Sequence, residues 1–392
     1  MDDEEARPLA ARRASTCFRR LTLTDFRSYE RVDLELDGRP VVLSGPNGAG
    51  KTNLLEAVSL LGPGRGIRNA RLDELPRIGG AGGWAVSARL SCDSGFGGSD
   101  IRTLGVGSRD ADVDRRACRI DGASASGPSA FAECLRLVWL TPAQDRLFVE
   151  GPGERRRFLD RMAMALDPGV ARIASDYEMA MRQRQRLLDE KSRDDAWISA
   201  LEMQMAETGV ALAALRRDMT GALVAAAVED ENAAFPAADI ALEGELEAAL
   251  AYQPAADVEE DFAGRLRANR RADAEAGRAI HGPHRSDLLV THRAKGRPAR
   301  LCSTGEQKAL LIGLVLANAR ALSLKPGGAP LILLLDEIAA HLDEARRAAL
   351  FDILCDLGFQ CFMTGTDASL FEAFGARAQA FEVRNGAVNG LN

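Results

Sequence analysis

A chain of 392 residues, 46% hydrophobic and 27% charged, carries enough apolar side chains to fill two or three domain-sized cores. No apolar run approaches the roughly 20 residues needed to cross a bilayer, which removes a membrane-embedded protein from consideration. The formal net charge of −7 argues against a uniformly basic surface and shifts attention to local clusters of charge.

The chain opens with Met1-Asp2-Asp3-Glu4-Glu5 and an Ala/Arg stretch that lacks a signal-peptide core and is too acidic for a transit peptide. Residues 1–16 are therefore expected to be a disordered tail on a soluble intracellular protein. Residues 17–150 begin an α/β head. Val41-Val42-Leu43 is a short β-branched strand, Gly45-Pro46-Asn47-Gly48-Ala49-Gly50-Lys51-Thr52 fits G-x-x-x-x-G-K-[ST], and Asn53 to Val58 begins a helix. That order of strand, loop and helix is the context a phosphate-binding loop requires. The glycines let backbone N–H groups curl around phosphate oxygens and the helix start adds positive dipole. Lys51 reaches the outer phosphates and the Thr52 hydroxyl ligates Mg²⁺. Farther on, residues 83–122 alternate apolar and polar side chains, as in Trp84, Val86, Ala88 and Leu90, which predicts antiparallel strands.

Residues 151–280 interrupt the head with a helical lobe. A basic helix starts at Glu154, and Val170, Ile173, Tyr177, Met181 and Leu188 follow at helical spacing up to Lys191. After the polar turn Ser192-Arg193-Asp194-Asp195, a second helix is expected from Ala196 to Glu229. Trp197, Leu201, Met205, Leu212, Leu215, Met219 and Leu223 form its stripe. Two such helices joined by a short turn pack antiparallel, and at 1.5 Å per residue the longer one reaches about 50 Å.

The head resumes over residues 281–392. Ser303, Thr304, Gly305 and Glu306 stand just ahead of a long apolar helix, where Ser303 would serve as N-cap and the free amides would form an anion site. Leu331 to Leu335 reads as a strand buried on both faces that ends in Asp336 and Glu337. Asp336 would hold the water shell of the metal and Glu337 would polarise the attacking water, so Glu337 and Lys51 are the candidate catalytic pair.

Phosphate loop, serine-glycine helix start, acidic strand and the turn at Leu342-Asp343, taken in this order, resemble the ATP-binding-cassette ATPases. The resemblance narrows with Leu21-Thr22-Leu23-Thr24-Asp25-Phe26-Arg27-Ser28-Tyr29, with Gly64-Arg65-Gly66-Ile67-Arg68 and with Gly153-Glu154-Arg155-Arg156-Arg157-Phe158-Leu159-Asp160. It extends to Gly282-Pro283-His284-Arg285-Ser286-Asp287-Leu288 and to Ser303 through Ala309. These stretches look like the RecF family of recombination mediators. That likeness implies a head that binds ATP with Mg²⁺ through Gly45 to Asn53, dimerises with ATP, hydrolyses it slowly, binds DNA and works with RecO and RecR to load RecA at gaps. It also implies that Ser303 to Glu306 of one subunit close on the nucleotide of the other, beside the turn at Leu342 and Asp343. Gln144, in Thr141-Pro142-Ala143-Gln144-Asp145, stands where cassette proteins place a metal-contacting glutamine, and it can equally be a plain loop residue. The strand Gln360-Cys361-Phe362-Met363 runs into Thr364-Gly365-Thr366, where many cassette ATPases carry a switch histidine. An ATPase subunit of a transporter and an SMC-like structural ATPase remain as alternatives. The helical lobe and local charge count against the first, and the short helices against the second. A scaffold that binds ATP without hydrolysing it is disfavoured by Glu337.

Between residues 262 and 300 ten basic residues face three acidic ones. Arg265, Arg267, Arg270 and Arg271, with Arg65, Arg68 and Arg71 after the phosphate-loop helix, are the candidate DNA contacts. Few aromatics accompany them, which favours the backbone of duplex or gapped DNA over stacking on a single strand. The seven cysteines include no C-x-x-C pair, and His281 and His284 lack cysteine partners, so reduced core thiols and loop histidines are expected rather than a zinc site.

Overall fold

The structure, a computed structural model, describes residues 16–93, 99–109, 115–227, 234–324 and 329–391. The expected tail lies outside these residues except for Thr16. Contacts group the chain into two compact units, one running up to Gln144 and resuming at Ser323, the other spanning Asp145–Leu322. The segment from 281 to 322, expected with the head, thus groups with the helical unit.

The first unit holds two six-stranded sheets. One is antiparallel and contains Cys17–Phe26, Tyr29–Glu35, Trp84–Asp93 and Ser99–Ser108, so the alternation seen after residue 83 does form strands. Leu21 and Leu23 point inward while Thr24 is exposed, the period of two that a sheet with one covered face imposes. The other sheet runs in the order Ala387–Gly390, Gln379–Arg384, Val41–Ser44, Gln360–Gly365, Leu331–Leu335, Arg136–Leu140. Four of its five pairings are parallel, the exception being Ala387–Gly390 on Gln379–Arg384, and Leu331–Leu335 is buried along its whole length as expected.

The helix Lys51–Ser59 contributes Leu54, Leu55, Ala57 and Val58 to a core shared by both sheets. Leu21, Val86 and Leu104 come from the antiparallel sheet, and Leu43, Ile332 and Phe362 from the parallel one. Gln360, fully buried, accepts from the Phe18 N–H at 2.8 Å and donates to the Phe18 carbonyl at 3.2 Å. Its amide thus satisfies both backbone polar groups of Phe18.

In the second unit the helices Gly169–Asp189 and Asp195–Ala226 pack antiparallel, with Arg184 meeting Glu202 and Tyr177 lying against Gly209. The longer helix has 32 residues, or about 48 Å, and ends short of Glu229, which lies outside the described residues. A Cβ at Gly209 would sit 3.1 Å from both Tyr177 and Phe262, so glycine permits the close crossing there. Two details differ from the stripe read in the sequence. Trp197 is 52% exposed, and its neighbour Ile198 takes the buried position, because the face turned to Gly169–Asp189 passes through Ile198, Leu201, Met205 and Val210. The opposing face runs through Tyr177, Ala180, Arg184 and Leu187, while Met181 and Leu188 lie at its margin. This unit also contains a small sheet, in which Ala238–Glu243, from the stretch read as helical lobe, pairs with Asp287–His292, next to Arg297–Pro298, both from the stretch read as head.

Candidate ATP site

The phosphate loop leaves the strand Val41–Ser44 and turns into the helix Lys51–Ser59 through three glycines with positive φ: Gly45 (149°), Gly48 (79°) and Gly50 (112°). A Cβ at Gly45 would lie 2.2 Å from the Val383 carbonyl oxygen, and one at Gly50 would lie 2.6 Å from the Tyr29 hydroxyl. At Gly48 nothing stands within 4 Å, which leaves that backbone open on the side a phosphate would approach. Lys51 is buried, and its ammonium donates to the carbonyls of Gly45 (2.7 Å) and Pro46 (2.9 Å). Burial pulls its pKa below the ordinary value, and the carboxylates of Glu337 and Asp336 pull it back up. A cation held at the mouth of a loop of amides is the charge pattern that a polyphosphate complements.

Order of strands explains how the acidic pair arrives here. Gln360–Gly365 lies between the phosphate-loop strand and Leu331–Leu335, with Leu335 paired to Met363 and Leu43 to Thr364. One residue beyond Leu335, buried Asp336 reaches both neighbours. Thr52 Oγ1 donates to Asp336 at 3.0 and 3.1 Å to its two oxygens, and Thr364 Oγ1 donates to Asp336 Oδ1 at 2.7 Å. A hydroxyl and a carboxylate at this spacing form a hard-oxygen pair suited to Mg²⁺, and they are the two residues expected to ligate it. Glu337, only partly buried, has φ of +53°, a left-handed conformation that costs a non-glycine residue about 1–2 kcal/mol. Its N–H donates to Thr364 Oγ1 at 2.9 Å.

A second layer holds the loop. Glu56, 1% exposed on the phosphate-loop helix, takes a bidentate pair from Arg27 (2.9 and 2.7 Å) and a further contact from Arg68 (3.1 Å). Asn53 donates to Ser28 and accepts from Arg68, so its side chain braces the turn Arg27-Ser28-Tyr29. Sequence reasoning assigns no role to Glu56 or Thr364. A buried carboxylate on an apolar helix face signals a partner, but neither residue's partner is near it in the chain.

The remaining candidates take definite places. Gln144 accepts from the Thr141 N–H (2.9 Å) and hydroxyl (3.3 Å), so the amide oxygen that a metal would need is engaged within its own turn. Asp343 caps the helix Glu344–Leu357 by accepting from the Arg346 N–H at 2.8 Å, and Leu342 before it is buried. In the second unit Ser303 precedes the helix Thr304–Ser323 in a reciprocal cap. Its N–H donates to Glu306 Oε2 at 2.8 Å and its hydroxyl accepts from the Glu306 N–H at 3.4 Å. The Lys295 ammonium holds the Glu306 carboxyl well below the usual range, aided by Ser303. Ser303, Thr304 and Gly305 are exposed, and Lys308 in the first turns of the same helix pairs with Asp145 at 3.1 Å.

The basic segment is less positive than its sequence suggests. Arg265 pairs with Glu245, Arg271 with Glu275, Arg293 with Asp239 and Lys295 with Glu306. Arg270, one of the expected DNA contacts, has its guanidinium taken up on both edges by Glu202, Asp195 and Ser199. Arg68 and Arg71 are likewise paired, with Glu56 and Asp73. Arg65 and Arg267 are exposed and make no ion pair among the described residues. Both ring nitrogens of His284 are engaged, by Tyr177 at 2.7 Å and Ala279 at 2.9 Å.

The RecF/RecN/SMC N-terminal domain family matches residues 17–389. A relative from Mesorhizobium japonicum named DNA replication and repair protein RecF is 54% identical over 96% of this chain and 98% of its own length. A protein of the same name from Brucella suis biovar 1 is 50% identical over 95% of this chain and 96% of its own. Among solved structures, one of the recombination mediator protein RecF-ATP in the RecFOR pathway superposes with a TM-score of 0.80 at 21% identity, covering 98% of this chain and all of that one. An Smc head domain from Pyrococcus furiosus follows with a TM-score of 0.53 at 18% identity, over 96% of each chain. The head thus has the mixed α/β fold of cassette-type ATPases, and the chain belongs to the RecF family.

Proposed function

We propose that this protein is an ATP-dependent DNA-binding protein of recombinational gap repair and replication restart, cytoplasmic, which dimerises on DNA with ATP and helps RecO and RecR to load RecA. Its kinship with proteins named DNA replication and repair protein RecF supports this reading. The observation that carries it is the convergence of Lys51, Thr52, Asp336 and Glu337 in one unit.

Phosphates of ATP would lie along the amides from Gly45 to Thr52, with the Lys51 ammonium exchanging its two carbonyl contacts for phosphate oxygens. Thr52 and Asp336 would hold Mg²⁺, which supplies charge neutralisation on the phosphates. Glu337 would orient and deprotonate the attacking water. Slow turnover suits a switch, since binding energy goes into assembling a dimer rather than into rapid hydrolysis. The exposed residues Ser303, Thr304 and Gly305 would complete the site of a second copy of the chain, Thr304 and Gly305 through their amides and Ser303 through its hydroxyl. An SMC-like tether is disfavoured because the longest helix among the described residues reaches about 48 Å.

The test is a binding assay on duplex, single-stranded and gapped DNA with and without ATP and Mg²⁺. Tightest binding to duplex or gapped DNA with ATP is expected. Indifference to ATP on every DNA form would overturn the reading.

A further inference from the structure

We infer that Thr364 is a positioning residue for hydrolysis, which locks the carboxylate of Asp336 and the backbone of Glu337 into one hydrogen-bonded unit. The inference rests on the proposed roles of Asp336 at the metal and Glu337 at the attacking water.

Thr364 is fully buried at the end of the central strand Gln360–Gly365, at the position where the register places it beside both Leu43 and the residue after Leu335. Its hydroxyl has one proton and two acceptor lone pairs. The proton goes to Asp336 Oδ1 at 2.7 Å, and one lone pair accepts from the Glu337 N–H at 2.9 Å. One oxygen atom therefore bridges two consecutive acidic residues. Each contact has a separate consequence. The bond to Asp336 holds Oδ1, the oxygen that Thr52 also contacts, and restrains the rotation of the carboxylate, which leaves Oδ2 directed at Thr52 and at a cation held there.

The second bond acts on Glu337. This residue adopts φ of +53°, which a glutamate does not choose unaided, and its N–H is held by Thr364 in that conformation. Releasing it would let the backbone relax toward negative φ and swing the carboxylate away from where a water must be met. Valine has nearly the same shape but no hydroxyl, and serine keeps the hydroxyl without the methyl.

Thr364→Val, Thr364→Ser and Glu337→Gln should be compared for nucleotide affinity, kcat and the Mg²⁺ concentration giving half-maximal turnover. Thr364→Val should lower kcat by about tenfold or more and raise the Mg²⁺ requirement, with nucleotide affinity nearly unchanged, as removal of a group that orients a metal ligand does. Thr364→Ser should recover most of the turnover even where its melting temperature falls. A purely structural threonine would give the reverse pattern, with stability following the deleted methyl and kcat tracking stability. Should the valine variant fail to fold, Thr364→Cys, whose thiol is a weak donor, serves in its place. If Glu337→Gln is inert while Thr364→Val keeps wild-type kcat and Mg²⁺ dependence, or if serine is as impaired as valine, the inference is overturned and the role of Glu337 stands. If Glu337→Gln turns over like the wild type, the reading of Glu337 fails and takes the inference with it.

Discussion

Thr52 Oγ1 and Asp336 Oδ1 lie 3.0 Å apart although 284 positions separate them in the chain. Their contact joins the first turn of the phosphate-loop helix to the end of the acidic strand, so the proposed nucleotide and hydrolytic sites share one hydrogen bond. Substitutions on the two sides of it should nevertheless separate. Lys51→Ala removes the ammonium that faces the outer phosphates and should abolish measurable ATP affinity, together with ATP-driven dimerisation. An ATP-dependent dimer of this variant in sedimentation would contradict the assignment of the loop.

Glu337→Gln keeps the size and the N–H held by Thr364 but loses the base. ATP should bind normally, the dimer should persist longer, and turnover should fall by about 100-fold or more, the usual contribution of a positioned general base. Phosphate release at the wild-type rate would place the base elsewhere.

In the helical unit, Arg184 is 1% exposed between Glu202 (3.0 Å) and Asp273 (2.7 Å), with the Leu266 carbonyl at 2.6 Å. Arg184→Ala would leave two carboxylates buried, although Arg270 still reaches Glu202. A loss of about 3–5 kcal/mol in unfolding free energy is expected from stranding a buried charge. Chemical denaturation showing less than about 1 kcal/mol would mean that Arg270 and water compensate.

The phosphate loop is legible in the sequence because its signature occupies eight consecutive residues and its helix follows at once. The acidic strand is legible because a strand covered on both faces must be apolar throughout. By contrast, Arg184, Glu202 and Asp273 belong to three different helices, and nothing local marks them as partners. Thr364 is noticed in the sequence only as part of Thr364-Gly365-Thr366, where many cassette ATPases carry a histidine, since its two bonds arise from strand order and register. The stripe of the long helix is off by one residue at Trp197 because Trp197 and Ile198 are both apolar, and only the partner helix decides which of them faces inward. The local excess of positive charge is overstated for a similar reason, since Glu245, Glu202 and Asp239 lie outside the counted segment.

Charge removal should distinguish a DNA contact from a structural arginine. Arg267→Ala and Arg65→Ala, each exposed and without an ion pair among the described residues, should weaken DNA binding on all sequences alike. Each should reduce the slope of log K against log salt by about 0.9 for every phosphate that is no longer neutralised. Arg270→Ala should instead lower the melting temperature and leave the slope unchanged, because its guanidinium holds Glu202 and Asp195. An unchanged slope for both Arg65 and Arg267 variants would move the DNA surface elsewhere.

The completing contact of the proposed dimer is tested most sharply by mixing two defective chains. Ser303, Thr304 and Gly305 are exposed at a helix start where the Ser303 N–H is already held by Glu306, which leaves the Thr304 and Gly305 amides to meet an anion, and the sequence has a single phosphate loop. If these amides meet the nucleotide of a second copy, Ser303→Arg should bind ATP as a single subunit yet fail to dimerise, hydrolyse ATP or grip DNA with ATP. Arginine there would also remove the reciprocal cap with Glu306, so the melting temperature must be followed to show that the helix start survives. Lys51→Ala fails for the opposite reason, with an intact helix start and no bound nucleotide. A mixed dimer contains one site built from the sound loop of the first chain and the sound helix start of the second, while its other site is broken on both sides. Partial dimerisation and turnover should therefore return in the mixture although neither variant shows them alone. Subunit exchange confirmed by labelled chains with no recovery of either property would exclude the shared site, and so would wild-type behaviour of Ser303→Arg by itself.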